Sequence, residues 1–156
     1  MIHDLRIEPV LLTRDGVRLA HFEAGPSAPK SPPLLLINGW TGDHGIFTPQ
    51  IAHFAKSRRV VAIDLRGHGA SDAPVQEYTL PGFADDIAWQ SRQLGLQKPV
   101  VIGHSLGGAI TLELCGRHPD LASSSFSGPF TNSNGTNGST TVGTMVGTSA
   151  GKLITR

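Results

Sequence analysis

Cysteine occurs once, at Cys115, so no intrachain disulfide can form, and the Cys-x-x-Cys and Cys/His spacings of a structural zinc site are missing. Charge of one sign is not concentrated anywhere. The 13 Lys and Arg and 12 Asp and Glu give a formal net charge of +1 without a basic run, which argues against nucleic acid or an anionic membrane surface as partner. No apolar stretch approaches the roughly 18 residues of a membrane span. The start, Met1 to Arg6, lacks the basic segment, apolar run and small-residue cleavage site of an export signal. The expectation is a cytoplasmic protein with a small neutral substrate and no metal. One further absence is positional: after Asp120 there is no Asp, Glu or His.

The 156 residues suffice for one domain with a hydrophobic core. From Ile7 to Pro99, short strand-like runs alternate with helix-like ones, the pattern of an α/β sheet. Ile7–Thr13 and Val17–Ala24, joined through Asp15-Gly16, read as an opening hairpin. Leu34–Ile37, Val60–Ile63 and Val100–Ile102 are continuous apolar runs, as expected of central parallel strands covered on both faces. Phe47–Ala55 places Phe47, Ile51 and Phe54 or Ala55 on one face of a short helix. A second helix starts at Pro81, with Asp85 and Asp86 expected to favour its positive end, and stops at Gly95. A third runs Leu106–Arg117 with Leu106, Ala109, Ile110 and Leu114 at helical spacing.

The composition changes near Ala122. From Thr131 to Gly151 about four residues in five are Ser, Thr, Asn or Gly, too little apolar surface to offset the entropy of ordering, so this stretch is expected to be disordered. Leu121–Ser127 stands where another buried strand is due, yet is almost without aliphatic side chains. The expected organisation is a partial α/β domain over residues 1–121 and a low-complexity tail over 122–156, read as a truncated or frame-shifted continuation. A sheet ending at the third helix would leave Val100–Ile102 as an edge strand open to self-association.

Chemistry concentrates in three segments that directly follow the apolar strands. Gly103-His104-Ser105-Leu106-Gly107 joins a strand to a helix in the G-x-S-x-G pattern of a nucleophile elbow, where the glycines permit a sharp turn and Ser105 projects from the strand's carboxyl end. The backbone N–H of Leu106 is one candidate oxyanion donor. Asn38-Gly39-Trp40 follows the Leu34–Ile37 strand and lies on the same edge of the sheet, so Trp40 N–H is the second candidate, beside the plainer reading of Trp40 as a buried packing aromatic. Asp64 to Asp72 reads as a structural loop with turn glycines at Gly67 and Gly69, with Arg66 pairing Asp64 or Asp72 and His68 a solvated loop histidine.

Together these segments resemble the α/β-hydrolase superfamily over about Ile7 to Leu121: the oxyanion loop as Asn38-Gly39-Trp40, the D-x-R-G-x-G-x-S loop as Asp64 to Ser71, and the elbow as Gly103 to Gly107. The likeness is greatest to the serine esterase, perhydrolase and C–C hydrolase branches. Haloalkane dehalogenases and most epoxide hydrolases place Asp at the elbow, so Ser105 argues against both. Family members usually carry His where Asn38 stands. The resemblance implies a Ser105 nucleophile, an acyl-enzyme hydrolysed by water, a carboxylic ester or related acyl substrate, and no dissociable cofactor.

The family's triad acid and His follow the serine in chain order, and this chain has neither after Asp120. His118, thirteen residues beyond Ser105, lies roughly 20 Å along the helix axis at about 1.5 Å per residue and cannot reach it. Asp43-His44 is an unusual upstream pair, more plainly read as helix capping and loop polarity. A chain without a base is expected to show little activity. Two alternatives to the hydrolase reading stand: a non-catalytic remnant or binding module on the same fold, and cofactor-free oxygenase or perhydrolase chemistry.

Overall fold

The computed structural model describes residues 8–27, 30–128, 144–149 and 152–155. The chain opens with an antiparallel hairpin of β1 (Val10–Arg14) and β2 (Val17–Ala24). Asp15 and Gly16 both have positive φ, 50° and 79°, as the mirror-image two-residue turns require. There follow β3 (Leu34–Ile37), one 3-10 turn (His44–Phe47), α1 (Thr48–Phe54), β4 (Val60–Ile63), α2 (Leu80–Gln93), β5 (Val100–His104), α3 (Leu106–Arg117), β6 (Ser124–Gly128), β7 (Thr144–Ser149) and β8 (Lys152–Thr155).

The strands form one sheet in the order β1-β2-β4-β3-β5-β6-β7-β8. Its centre, β4-β3-β5-β6, is parallel, and the flanking pairs are antiparallel. From β3 the chain moves to β4 on one side, then crosses through α2 to β5 on the other. The strand order therefore reverses between β3 and β5, and the carboxyl ends of strands at such a reversal are the usual place for a ligand in an open α/β sheet.

Every side chain of β3 and β4 is buried, which explains the unbroken apolar runs. On one face Leu35, Ile37, Val61, Ile63 and Val101 pack against Phe83 and Ile87 of α2 and Ile110 and Leu114 of α3. On the other, Leu34, Leu36, Val60 and Ala62 meet Phe47 and Ile51 of the α1 segment. The helix ends follow from local chemistry. The Thr79 hydroxyl accepts from Gly82 N–H at 3.1 Å to start α2. At its other end Gly95, with φ 61°, donates to the Arg92 carbonyl while Leu96 donates to that of Ser91, the paired bonds of a Schellman stop.

Three expectations change. Asp85 and Asp86 fall beyond the first turn of α2 and serve ion pairs rather than the dipole. Asp86, with a side chain only 5% exposed, takes both Arg66 (2.8 Å twice) and Arg14 (2.8 Å). Arg66 thus pairs with neither Asp64 nor Asp72; the latter is engaged by Arg18 at 2.7 Å. Finally, β5 is not an edge strand. It lies between β3 and β6, because main-chain bonding builds a ladder even where side chains are small, and buried Ser125 accepts a hydrogen bond from the Cys115 thiol at 3.4 Å. Of the low-complexity stretch, residues 131–143 and 150–151 lie outside the described residues, and Thr144–Ser149 is β7.

Removing the shared carboxylate in Asp86→Ala would leave the partly buried Arg66 guanidinium without a carboxylate and Arg14 with only Asp15, 3.7 Å away, and we expect a loss of about 3 kcal/mol in denaturant-monitored unfolding. Asp85 behaves differently. The Arg117 guanidinium, followed by His118, holds its carboxyl well below the usual range, at about 2. A depressed folded-state value means that this contribution is complete above the ordinary value of 3.8 and is lost as pH falls toward about 2. Asp85→Asn should therefore cost about 0.5 kcal/mol at pH 7, as partly exposed pairs do, and flatten the acid limb of a stability-versus-pH curve over that window.

Candidate functional site

Ser105 sits where β5 turns into α3, with φ 54° and ψ −116°, a conformation that side-chain-bearing residues rarely adopt. It is exposed, and its carbonyl accepts the first helical bond, from Gly108 N–H at 2.8 Å. Crowding around it explains the glycines. A Cβ on Gly103 would collide with the Gly107 carbonyl and the Thr111 hydroxyl, and one on Gly107 would strike the Ile37 carbonyl and lie 2.6 Å from that of Asn38. The start of α3 is thereby seated directly on the end of β3.

The loop leaving β3 comes to the same place. A Cβ on Gly39 would lie 3.1 Å from Ser105 Cβ and 3.0 Å from both the His104 carbonyl oxygen and its Nδ1. The three positions that the sequence groups as elbow and oxyanion loop are therefore neighbours in space. Leu106 is the first residue of α3, where backbone N–H groups have no intrahelical partner and the helix dipole is positive.

Asn38 is fully buried and braces the loop from within. Its amide nitrogen donates to the Gly42 carbonyl at 2.5 Å and to that of Gly39 at 3.3 Å, while its oxygen accepts from Leu65 N–H at 3.4 Å. Gly42 N–H closes the turn onto the Gly39 carbonyl at 3.2 Å, and Thr41 within it has φ 58°, unusual for a β-branched residue. The Trp40 side chain is not buried packing. It is 64% exposed and rests edge-on against His68, ring centroids 5.5 Å apart. His68 Nδ1 in turn donates to the Arg66 carbonyl, 3.1 Å away.

Sequence reasoning missed the part played by Asp64. Its buried carboxylate accepts from His44 N–H (2.7 Å), His44 Nδ1 (3.1 Å) and Ala70 N–H (2.8 Å), tying the β3 loop to the β4 loop. The signal was available in the spacing of the glycines: a Cβ on Gly69, φ 50°, would collide with the Asp64 carboxylate. Ser71 completes the loop, donating to the Asp64 carbonyl at 2.7 Å and accepting from Ala20 N–H at 2.8 Å.

The candidate stand-ins for a base are each held by other partners. Asp43 caps the 3-10 turn through Gly45 N–H at 2.7 Å, as its plainer reading expects. His44 is bound to Asp64 and stacked on Phe22 with centroids 3.4 Å apart. His118, at the far end of α3, contacts Asp85 and Arg92. Among the described residues no cluster of three or more His, Cys, Asp or Glu could hold a metal ion, and no helix is long and apolar enough to cross a membrane.

A family model described as the alpha/beta hydrolase fold matches residues 32–131. The 2-(acetamidomethylene)succinate hydrolase of Mesorhizobium japonicum is 34% identical over 93 residues, covering 60% of this chain and 34% of that protein. Epoxide hydrolase 3 of Xenopus tropicalis is 32% identical over 108 residues, covering 68% and 29%. A solved structure described as an N-acyl homoserine lactone degrading enzyme superposes with a TM-score of 0.69 at 29% identity, covering 74% of this chain and 43% of that one. The chain spans about a third of the length of these curated relatives. A parallel sheet whose order reverses beside a strained strand-to-helix serine, with a family match over that same stretch, places this chain in the alpha/beta hydrolase fold family.

Proposed function

We propose that the chain carries the nucleophile and oxyanion half of a serine hydrolase acting on a carboxylic ester or related acyl substrate. The observation that supports this reading most is the backbone of Ser105, whose φ of 54° stores strain at a serine lying against Gly39 of the neighbouring loop. Serine also separates this elbow from the aspartate expected of most epoxide hydrolases, despite the likeness to one of them.

In the reaction, Ser105 Oγ bonds to the substrate's carbonyl carbon while the hydroxyl proton leaves to a base, and charge collects on the carbonyl oxygen. The N–H groups of Leu106 and Trp40 are the donors for that oxygen. Collapse breaks the carbon–oxygen bond to the leaving alcohol, which takes up a proton. Water then attacks the acyl-enzyme, releasing the acid and restoring the Ser105 hydroxyl.

The positioning of the donors rests on packing in this reading. Asn38 and Asp64 hold the loop that carries Trp40 N–H, and Gly39 lets that loop lie against Ser105. The two histidines weighed as a base, His44 and His118, are bound elsewhere. Loss of the histidine of such a triad costs about a factor of 2 × 10⁶ in turnover. The chain by itself is accordingly a slow acyl acceptor with an organised anion site. The remnant reading keeps the pocket and removes the chemistry altogether.

Intact-mass spectrometry after incubation with p-nitrophenyl acetate, with and without added imidazole as an external base, distinguishes the two. We expect acetylation that imidazole accelerates and that peptide mapping assigns to Ser105, absent in Ser105→Ala. Gly39→Val, which forces the loop away, should slow adduct formation by about a hundredfold, the effect of losing one oxyanion donor. Adducts spread over surface lysines, and unchanged in Ser105→Ala, would sink the hydrolase reading in favour of the remnant.

A further inference from the structure

His21 is a buried titratable side chain that the chemistry at Ser105 does not use. It stands on β2, 1% exposed, opposite Ile63 of β4, and so shares with Val61 and Ile63 the face that packs against α2. Its Nε2 lies 3.4 Å from the Glu23 carboxylate, which assigns the proton of the neutral ring to that nitrogen. Its Nδ1 is buried and has no hydrogen-bond partner among the described residues.

A second proton would therefore enter on a nitrogen that has no acceptor. The charged groups on this face are already matched. Arg59, ahead of β4, holds both oxygens of Glu23 at 3.0 Å, and Arg14 of β1 is bound to Asp86 of α2 at 2.8 Å. Glu8, ahead of β1, is exposed to water. A buried imidazolium with an unmet N–H costs more than the neutral ring. Burial, opposed by the Glu23 carboxylate and aided by Arg59, accordingly holds His21 below its ordinary value of 6.5.

The residues on either side of His21 carry the brace of the loop that leaves β3. The Ala20 carbonyl accepts from Asp64 N–H at 3.1 Å, and Ala20 N–H donates to the Ser71 hydroxyl at 2.8 Å. Phe22, on the opposite face of the strand, stacks on His44 with ring centroids 3.4 Å apart, and His44 donates twice to the Asp64 carboxylate. A shift of the backbone at His21 therefore moves two of the contacts through which β2 holds Asp64 and its partners.

We propose that His21 is a proton-operated latch on β2: uncharged, it keeps the strand seated on β4 and on the Asp64 brace, and charged, it unseats the strand and frees the loop that leaves β3. The opened chain binds the proton more readily than the closed one, so the latch is fully closed above 6.5 and weakens as pH falls below that value. It holds or fails without the chemistry at Ser105, because it is read from backbone protection rather than from acyl transfer.

Hydrogen–deuterium exchange of the full chain at about pH 7.5 and about pH 5.5, with rates corrected for intrinsic exchange, tests it. One proton favours the opening of β2 by up to about tenfold per pH unit below 6.5. At the lower pH we expect peptides over residues 17–24 and 64–72 to lose protection by at least about threefold, and those over 106–117 by less than about twofold. His21→Phe, which keeps a buried ring and removes the proton site, should abolish the pH dependence of the first two. No loss, an equal loss in all three, or a loss that persists in His21→Phe overturns the latch. Should that variant fail to fold, NMR titration of the wild-type chain decides. A His21 midpoint below 6.5 accompanied by shifts of the Ala20 and Ser71 amides supports the latch, and a midpoint at or above 6.5, or one that leaves those amides unmoved, overturns it.

Discussion

The close seating of one backbone on another at the end of β3 is the constraint from which most of this structure follows. Gly107 brings the first turn of α3 against the carbonyls of Ile37 and Asn38, and Gly103 lets the end of β5 lie against the Gly107 carbonyl and the Thr111 hydroxyl. With no side chain to hold them apart, the helix start and the strand end lie in contact, and the residue between the two glycines, Ser105, is driven into a conformation with φ 54°. The strain is sustained because the surroundings over-determine it: β5 is paired on both sides, and α3 is buried through Ile110, Thr111 and Leu114.

Around that contact the polar groups form a brace rather than a collection of surface contacts. Asn38 and Asp64, both fully buried, each accept or donate several hydrogen bonds across the loops that leave β3 and β4. A buried carboxylate is costly unless its lone pairs are met, and here three N–H groups meet them. The Asn38 amide also closes the Gly39–Gly42 turn. Lower in the molecule Asp86 gathers Arg14 and Arg66, linking the hairpin, the β4 loop and α2 around one carboxylate.

The two ends of the sheet therefore differ in chemistry. At the carboxyl ends of β3 and β5 the exposed groups are a serine, helix N–H groups and the open face of Trp40, beside His68. At the amino end of β5 the helices finish in Arg92, Arg117 and His118, the last two in contact with Asp85.

By themselves, the residues in order determined the elements and their faces. Unbroken apolar runs announced β3, β4 and β5, Asp15-Gly16 announced the hairpin, and Gly103 to Gly107 announced the elbow, because strand burial, turn geometry and glycine's freedom are local properties written in adjacent residues. What only the tertiary structure decided was partnership over distance. Arg66 chose Asp86, twenty residues on, over nearer carboxylates; Asp64 turned out to hold His44; and Ser-rich β6 took its place beside β5 although its side chains gave no sign of it. The reason is physical. Charge pairing and main-chain ladders depend on which backbones arrive side by side, and that is settled by the packing of the whole sheet rather than by any neighbour in the chain.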